Sequence, residues 1–383
     1  MHNSLSFPYN ACKIDFYKKI IYCAFDTITV MYYSKSMAGK VTIQDIANEL
    51  GLSRNTVSKA INSTGIIADQ TRETILKKAA EMGYKLFAQP ESGGPEKERK
   101  ELVLLTASAL GASHFSAKMM DEMQEEASQM GYGFTIYRVM PQELEDLTLP
   151  ANFDLQRAAG IFCVEMFHGA YSAMLCTLGL PVVFIDTAVT FEDKALPADV
   201  LLMENRSGIY AFVKEMAARG KSGIAFVGEA LHCMSFYERY DAYMGALRLF
   251  SLPYRPEYCI TGTSRGLDYP PHESYLAYLE ESFRKWDKLP SVTICANDFV
   301  AMDVLHVFRK LGISVPDDMY LCGFDDSPES RLVSPALTTI RIHGKAMGRE
   351  AIRLLFSRIK EPGLEFRTVY SGTSLIYRGS TGD

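Results

Sequence analysis

At 383 residues, 48% hydrophobic and 22% charged, the chain is long enough for two or three domains with a sizeable core and too apolar for a disordered one. Its apolar runs fall far short of a bilayer span, and eight scattered cysteines without a CxxC pair, with no ligand spacing among seven histidines, argue against a disulfide framework or zinc site. The net charge of −6 excludes a wholly basic nucleic-acid binder, yet residues 38–88 hold seven Lys and Arg against five Asp and Glu, while 102–383 hold 26 against 35. A basic head on an acidic body fits DNA contact confined to one end.

The first 36 residues are rich in Tyr, Phe, Ile and Cys and lack the basic–apolar–small order of a signal peptide. VTIQDIANELGLSRNTVSKAIN, Val41–Asn62, then reads as two short helices around a tight turn. Thr42 is an N-cap three residues before Asp45, and Ile43, Ile46, Ala47 and Leu50 form one apolar face. Gly51 allows the chain to reverse. Ser53 caps the second helix, which buries Val57, Ala60 and Ile61 and turns Arg54, Asn55, Thr56 and Lys59 outward. This is a helix-turn-helix, whose second helix fits a DNA major groove; two-helix turns without DNA also exist, but they have no need of Arg, Asn and Lys together at the helix start. A third helix begins near Asp69, with Ile75, Ala79 and Met82 on one face, and stops at Gly83.

KLFAQPESGGPEKERK follows, a linker whose two prolines and Gly-Gly pair argue against a helix. From Leu102, short β-branched and aromatic runs (LVLLTA, YGFTIY, AGIFCV, PVVFID) alternate with helical stretches; a second series contains GIAFVG, SVTICA and MYLCGF. Such alternation predicts parallel sheets covered on both faces. Two series imply two doubly wound lobes with a cleft at the carboxyl ends of the strands. The fold class expected is α/β: an all-α headpiece plus a two-lobed domain of doubly wound parallel sheets.

Together these residues resemble the LacI/GalR (lactose-repressor-like) family of bacterial regulators. VTIQDIA and GLSRNTVSKAIN match the family's opening segments, and Tyr84 stands where an aromatic is usual. PVVFID ending at Asp186, SFYERYDAYMGAL around Arg239 (with Ala242 for the usual Gly), Ala296-Asn297-Asp298 and GISVPDDMYLCGFDDSPESRLVSPALTTIR carry the likeness through an effector domain that looks like a periplasmic sugar-binding protein. The linker departs from the family, because Pro90, Glu91 and Gly93 fall near its usual Ala-Arg-Leu helix, which wedges a leucine into the minor groove. The family start falls near Met37, so the first residues read as a mis-called extension or a poorly ordered arm, with a short amphipathic anchor as the alternative. Domain boundaries follow as an extension over 1–37, a headpiece over 38–87, a linker over 88–101 and an effector and dimerisation domain over 102–383.

The resemblance assigns base reading to Arg54, Asn55 and Lys59, with Ser53, Thr56 and Asn62 on phosphates; Arg and Lys suit guanine and Asn suits adenine. Thr56 also suits a purely structural role. For the effector it implies Asp186, Arg239 and Asp298, with Asn297 and Asp325 beside them and His114 and Phe115 after the first strand. Carboxylates and a guanidinium fork hold sugar hydroxyls well. Asp186 and Asp298 would also serve as caps, Arg239 as the partner of Glu238 or Asp241, and Phe115 as core.

No GxSxG, P-loop, GxGxxG or metal spacing is present, so the expected protein is not an enzyme and needs no cofactor or metal. The resemblance implies a cytoplasmic, nucleoid-associated homodimeric repressor, without a membrane partner. It would bind double-stranded DNA at a near-palindromic operator, with a sugar-like effector closing the lobes and changing operator affinity. A solute-binding protein without DNA binding, or a regulator with a degenerate effector site, are the alternatives.

Overall fold

The computed structural model describes residues 42–61, 67–82, 100–107, 114–189, 196–262 and 272–383. The extension, Asn62, Tyr84, the linker up to residue 99, and the side chains of His114 and Phe115 lie outside the described residues. The chain divides into two compact units, Met1–Glu96 and Lys97–Asp383.

In the first unit, α1 (Ile43–Leu50), α2 (Arg54–Ile61) and α3 (Asp69–Glu81) enclose one small core. Helix α1 starts at a reciprocal capping box: Asp45 N–H donates to Thr42 Oγ1 at 3.3 Å, and Thr42 N–H donates to Asp45 Oδ2 at 2.8 Å. It ends at Gly51, φ 63°, where a side chain would be strained. Ile46, Ala47, Val57, Ala60, Ile61, Ile75 and Ala79 are buried together, and Lys78 pairs with Glu49 at 3.2 Å across α3 and α1.

The second unit has two lobes. Lobe one is a six-stranded parallel sheet in the order β11-β5-β4-β3-β1-β2: β1 (Glu101–Thr106), β2 (Gly133–Arg138), β3 (Ala158–Val164), β4 (Val182–Ile185), β5 (Asp199–Met203) and β11 (Thr368–Ser371). Helices α4 (His114–Gln129), α5 (Pro141–Asp146), α6 (Gly169–Leu175) and α11 (Gly344–Lys360) belong with it. Lobe two is a four-stranded parallel sheet, β7-β6-β8-β9: β6 (Ile224–Val227), β7 (Cys259–Ile260), β8 (Val292–Cys295) and β9 (Tyr320–Cys322). Its helices are α7 (Ser207–Ala218), α8 (Met234–Leu249), α9 (His272–Arg284) and α10 (Asp298–Leu311). The β8 run Val292–Cys295 is buried on both faces, as a helix-covered parallel sheet requires.

The chain passes between the lobes after β5, after β10 (Thr339–Ile342) and between β11 and β12 (Thr373–Ile376), with β10 and β12 paired antiparallel. These passages are tied together. Glu204 N–H donates to Ser371 O at 2.7 Å, and Thr373 Oγ1 donates to Glu204 O at 2.9 Å. The lobes therefore share a hinge of adjacent strands, and the carboxyl ends of β3, β4, β6, β8 and β9 converge on the cleft between them. Among the described residues every cysteine is a free thiol, with Cys163, Cys233, Cys295 and Cys322 buried, and no helix is long and apolar enough to cross a membrane.

Candidate functional site

In the three-helix unit, Gly51 turns the chain and Ser53 sets the start of α2. Ser53 Oγ accepts from Thr56 N–H at 3.0 Å and lies 2.8 Å from Thr56 Oγ1. Ser53 and Thr56 thus form the helix cap. Arg54, Asn55 and Lys59 are exposed, while Val57, Ala60 and Ile61 hold the opposite face in the core. The first turn of α2 presents a guanidinium and an amide with an ammonium one turn on, the donor set that major-groove base edges accept.

In the cleft, Asp186 follows β4 with φ 64° and is 6% exposed. Its Oδ1 accepts from Thr187 N–H at 2.8 Å and, across the lobe boundary, from Ser235 N–H at 3.2 Å in the first turn of α8. A carboxylate there is favoured by the positive end of the helix. Met234 N–H donates to Thr187 O at 2.8 Å alongside. Burial pushes the Asp186 pKa up, against the Cys233, Ser235 and Thr187 donors and the Arg239 charge.

Arg239 lies in the second turn of α8, 2% exposed. Its Nε donates to Asn205 Oδ1 at 2.9 Å and Nη1 to Ala296 O at 2.6 Å, with Asp325 Oδ1 3.8 Å away. The guanidinium lies over Phe324, 3.5 Å from the ring centroid. Asp325, φ 117°, follows β9; burial pushes its carboxyl well above the ordinary range, Arg239 opposes this, and Asp298, Glu165 and Asp186 add to it. Asn297 is half-buried and caps α10, accepting from Val300 N–H at 2.9 Å.

Asp298 corrects the expectation that it faces an effector. It is 0% exposed; Oδ2 accepts from Ser327 N–H at 2.7 Å and Oδ1 from Thr339 Oγ1 at 2.6 Å. With both oxygens taken and no solvent access, it fastens α10 to the segment after β9, and burial raises its pKa to about 6. Arg239 is likewise a buried helical residue, not a surface partner of Asp241.

Sequence reasoning passes over Glu165, Asn205, Phe167 and Phe236, and reads His232 as packing or surface, not a site. Glu165 follows β3 with φ 52°. Phe167 from lobe one meets His232 from lobe two edge-on at 5.1 Å, and His232 meets Phe236 at 5.3 Å. Burial lowers the His232 pKa to about 4, so its imidazole is neutral. Glu165 and Asp186 had a shared cue in the carboxylate that ends each strand run, GIFCVE and FID; the aromatic trio had none. Among the described residues no His, Cys, Asp and Glu group is arranged to hold a metal ion.

Comparison with known proteins agrees with this geometry. The profile of bacterial regulatory proteins, lacI family, matches residues 42–85, and that of the periplasmic binding protein-like domain matches 213–381. The HTH-type transcriptional repressor PurR of Histophilus somni (strain 129Pt) is 26% identical over 353 residues, covering 88% of this chain and 98% of PurR. Among solved structures, a CelR–cellobiose complex superposes with TM-score 0.64 at 23% identity, covering 89% of this chain and 100% of CelR. The lac repressor dimer bound to operator and the anti-inducer ONPF gives 0.61 at 23% identity, covering 89% and 99%. These two likenesses show the fold.

Proposed function

Because the chain belongs to the lacI family of bacterial regulatory proteins, we propose that it represses transcription by reading a near-palindromic operator as a homodimer through α2, under the control of a small sugar-like effector held between its lobes. Members of this family are DNA-binding repressors with a ligand-binding effector domain and carry out no catalysis. The observation that carries the reading is the division of labour on α2. One face is buried in the headpiece core, and the other exposes Arg54, Asn55 and Lys59. Arg54 and Lys59 suit guanine, Asn55 suits adenine, and a two-fold protein reads two half-sites. Acting on the chromosome places the protein in the cytoplasm, at the nucleoid. A solute-binding protein would have no use for these side chains.

The cleft supports the control step. Asp186, Arg239 and Asp325, with Asn297 at the rim, come from both lobes, so a ligand that bridges them favours closure; closure that alters the headpieces alters operator affinity by the same factor that the operator alters ligand affinity. The test is an electrophoretic shift of the full chain on DNA upstream of its own gene, with an Arg54→Ala control and a salt series. The expected result is a specific shift that weakens with salt and is lost in Arg54→Ala. Weak binding indifferent to Arg54 on every fragment would refute α2 as the reader.

A further inference from the structure

We propose that Asn205 is a positioning residue: it holds the Arg239 guanidinium in the cleft and the Glu238 carboxylate toward lobe one, so that one side chain sets both. The proposal rests on the effector reading above and deepens it, naming how that site is joined to a lobe contact behind it. Glu238 and Arg239 are neighbours on α8, 5% and 2% exposed, with opposite charges. They are nonetheless joined through a third residue. Asn205 is 0% exposed and lies in the passage between β5 and α7. Its Nδ2 donates to Glu238 Oε2 at 2.8 Å, and its Oδ1 accepts from Arg239 Nε at 2.9 Å.

Each charge is completed on a different side. Arg239 Nη1 donates to Ala296 O at 2.6 Å and faces Asp325 at 3.8 Å. The other oxygen of Glu238 accepts from the Tyr370 hydroxyl at 2.6 Å, and the exposed Arg206 stands 3.8 Å from that same oxygen. Tyr370 belongs to β11, the outer strand of the lobe-one sheet. Helix α8 of lobe two therefore reaches lobe one twice, through Ser235 N–H to Asp186 in its first turn and through Glu238 to Tyr370 in its second. Asn205 follows Glu204, whose backbone is tied to Ser371 and Thr373 beside Tyr370. A carboxamide is the side chain this place needs, since it carries a donor for the carboxylate and an acceptor for the guanidinium. Without it, two buried opposite charges on adjacent residues would satisfy each other directly. That pairing would draw the guanidinium from Ala296 and the carboxylate from Tyr370, loosening the cleft and the lobe contact together.

The test is iodoacetamide labelling of the full chain without ligand, read at Cys233 by peptide mass. Cys233 is 3% exposed, immediately precedes α8 and hydrogen-bonds to Asp186 of lobe one, so its thiol reacts when the lobes part. Cys163, buried in the core of lobe one, reports unfolding instead. Tyr370→Phe is expected to speed Cys233 labelling at least about threefold, because a hydrogen bond to a charged group is lost. Asn205→Ala should speed it as much, and adding Tyr370→Phe to Asn205→Ala should change nothing further. Glu238→Gln should return Asn205→Ala toward the native rate, since the neutral amide still accepts from Tyr370 and no longer draws Arg239. An Asn205 that only fills space gives accelerations that multiply in the double variant, and a further acceleration with Glu238→Gln. Either result overturns the proposal, as does a Tyr370→Phe rate equal to the native one. Should Asn205→Ala expose Cys163, Asn205→Ser, which leaves a smaller void, carries the same expectations. Because no ligand enters this experiment, its failure leaves the effector reading standing, whereas failure of the effector reading would not alter these rates.

Discussion

Asp298 and Arg239 show how much a side chain's role depends on what its neighbours leave unsatisfied. Asp298 has both oxygens committed, and a Cβ on Gly323 would stand 2.2 Å from its Oδ1, so even the glycine ahead of Phe324 is set by this carboxylate. Asp298→Asn sets an amide N–H₂ against one of two donors and should cost about 1–3 kcal/mol in chemical denaturation. Its pH dependence has a definite sign. The folded-state pKa is raised from 3.8 to about 6, so the folded protein binds the extra proton between those values. Stability of the native protein relative to Asp298→Asn therefore rises as pH falls from about 6 to about 4. Thermal melts of both proteins across that window check it; the comparison with the variant matters because neutral His232, with its pKa lowered to about 4, acts in the opposite direction below pH 6.5. Arg239→Lys is a sharper probe of the cleft than Arg239→Ala. A lysine keeps the charge but cannot span Asn205, Ala296 and a ligand oxygen from one plane, so ligand binding should fall by at least about tenfold in calorimetry.

At the scale of elements, local chemistry and tertiary chemistry separate cleanly. The headpiece helices were legible because their signals are local: the Thr42–Asp45 box, Gly51 at φ 63°, and Ser53 capping Thr56 all lie within a few residues of one another. Ser53→Ala should cost the headpiece about 1 kcal/mol in thermal melting without the complete loss of DNA binding expected of Arg54→Ala. The strands read as β-branched runs emerge as β1 to β4, β6, β8 and β9; all but the edge strand β2 are buried along most of their length, which demands unbroken apolar runs. The elements passed over are those whose meaning is supplied from a distance. β5 is a run of five residues whose first, Asp199, is 0% exposed and held by Arg358 at 2.9 Å and Arg367 at 3.0 Å. Burial pushes its carboxyl up, but the Arg367 and Arg358 guanidiniums outweigh that and hold it below the ordinary range. This triad ties β5 to α11 and to the chain entering β11. Removing the carboxylate by Asp199→Ala leaves two guanidiniums facing each other and should cost about 3–5 kcal/mol, read as a lower denaturation midpoint of the two-lobed domain. α11 did carry a readable signal, with Met347, Ala351, Leu354, Leu355 and Arg358 buried at helical spacing.

For the whole molecule, the two-lobed architecture was legible from alternation, while the composition of the cleft was only half so. Asp186, Arg239, Asn297 and Asp325 fall in motifs, so they could be named from the chain alone. Glu165 and Phe167 follow β3 while His232 follows β6, with no motif to link them. Their association exists once two sheets have folded and the lobes meet through Met234 N–H to Thr187 O and Ser235 N–H to Asp186. The central claim is that the cleft controls the operator. It is tested most directly by fluorescence anisotropy of a labelled operator titrated with the full chain, with and without a ligand already shown by calorimetry to bind. The account predicts a change in operator affinity of about 5-fold or more, matched by an equal change in ligand affinity when the operator is present. An operator affinity that stays the same with the cleft saturated would contradict it.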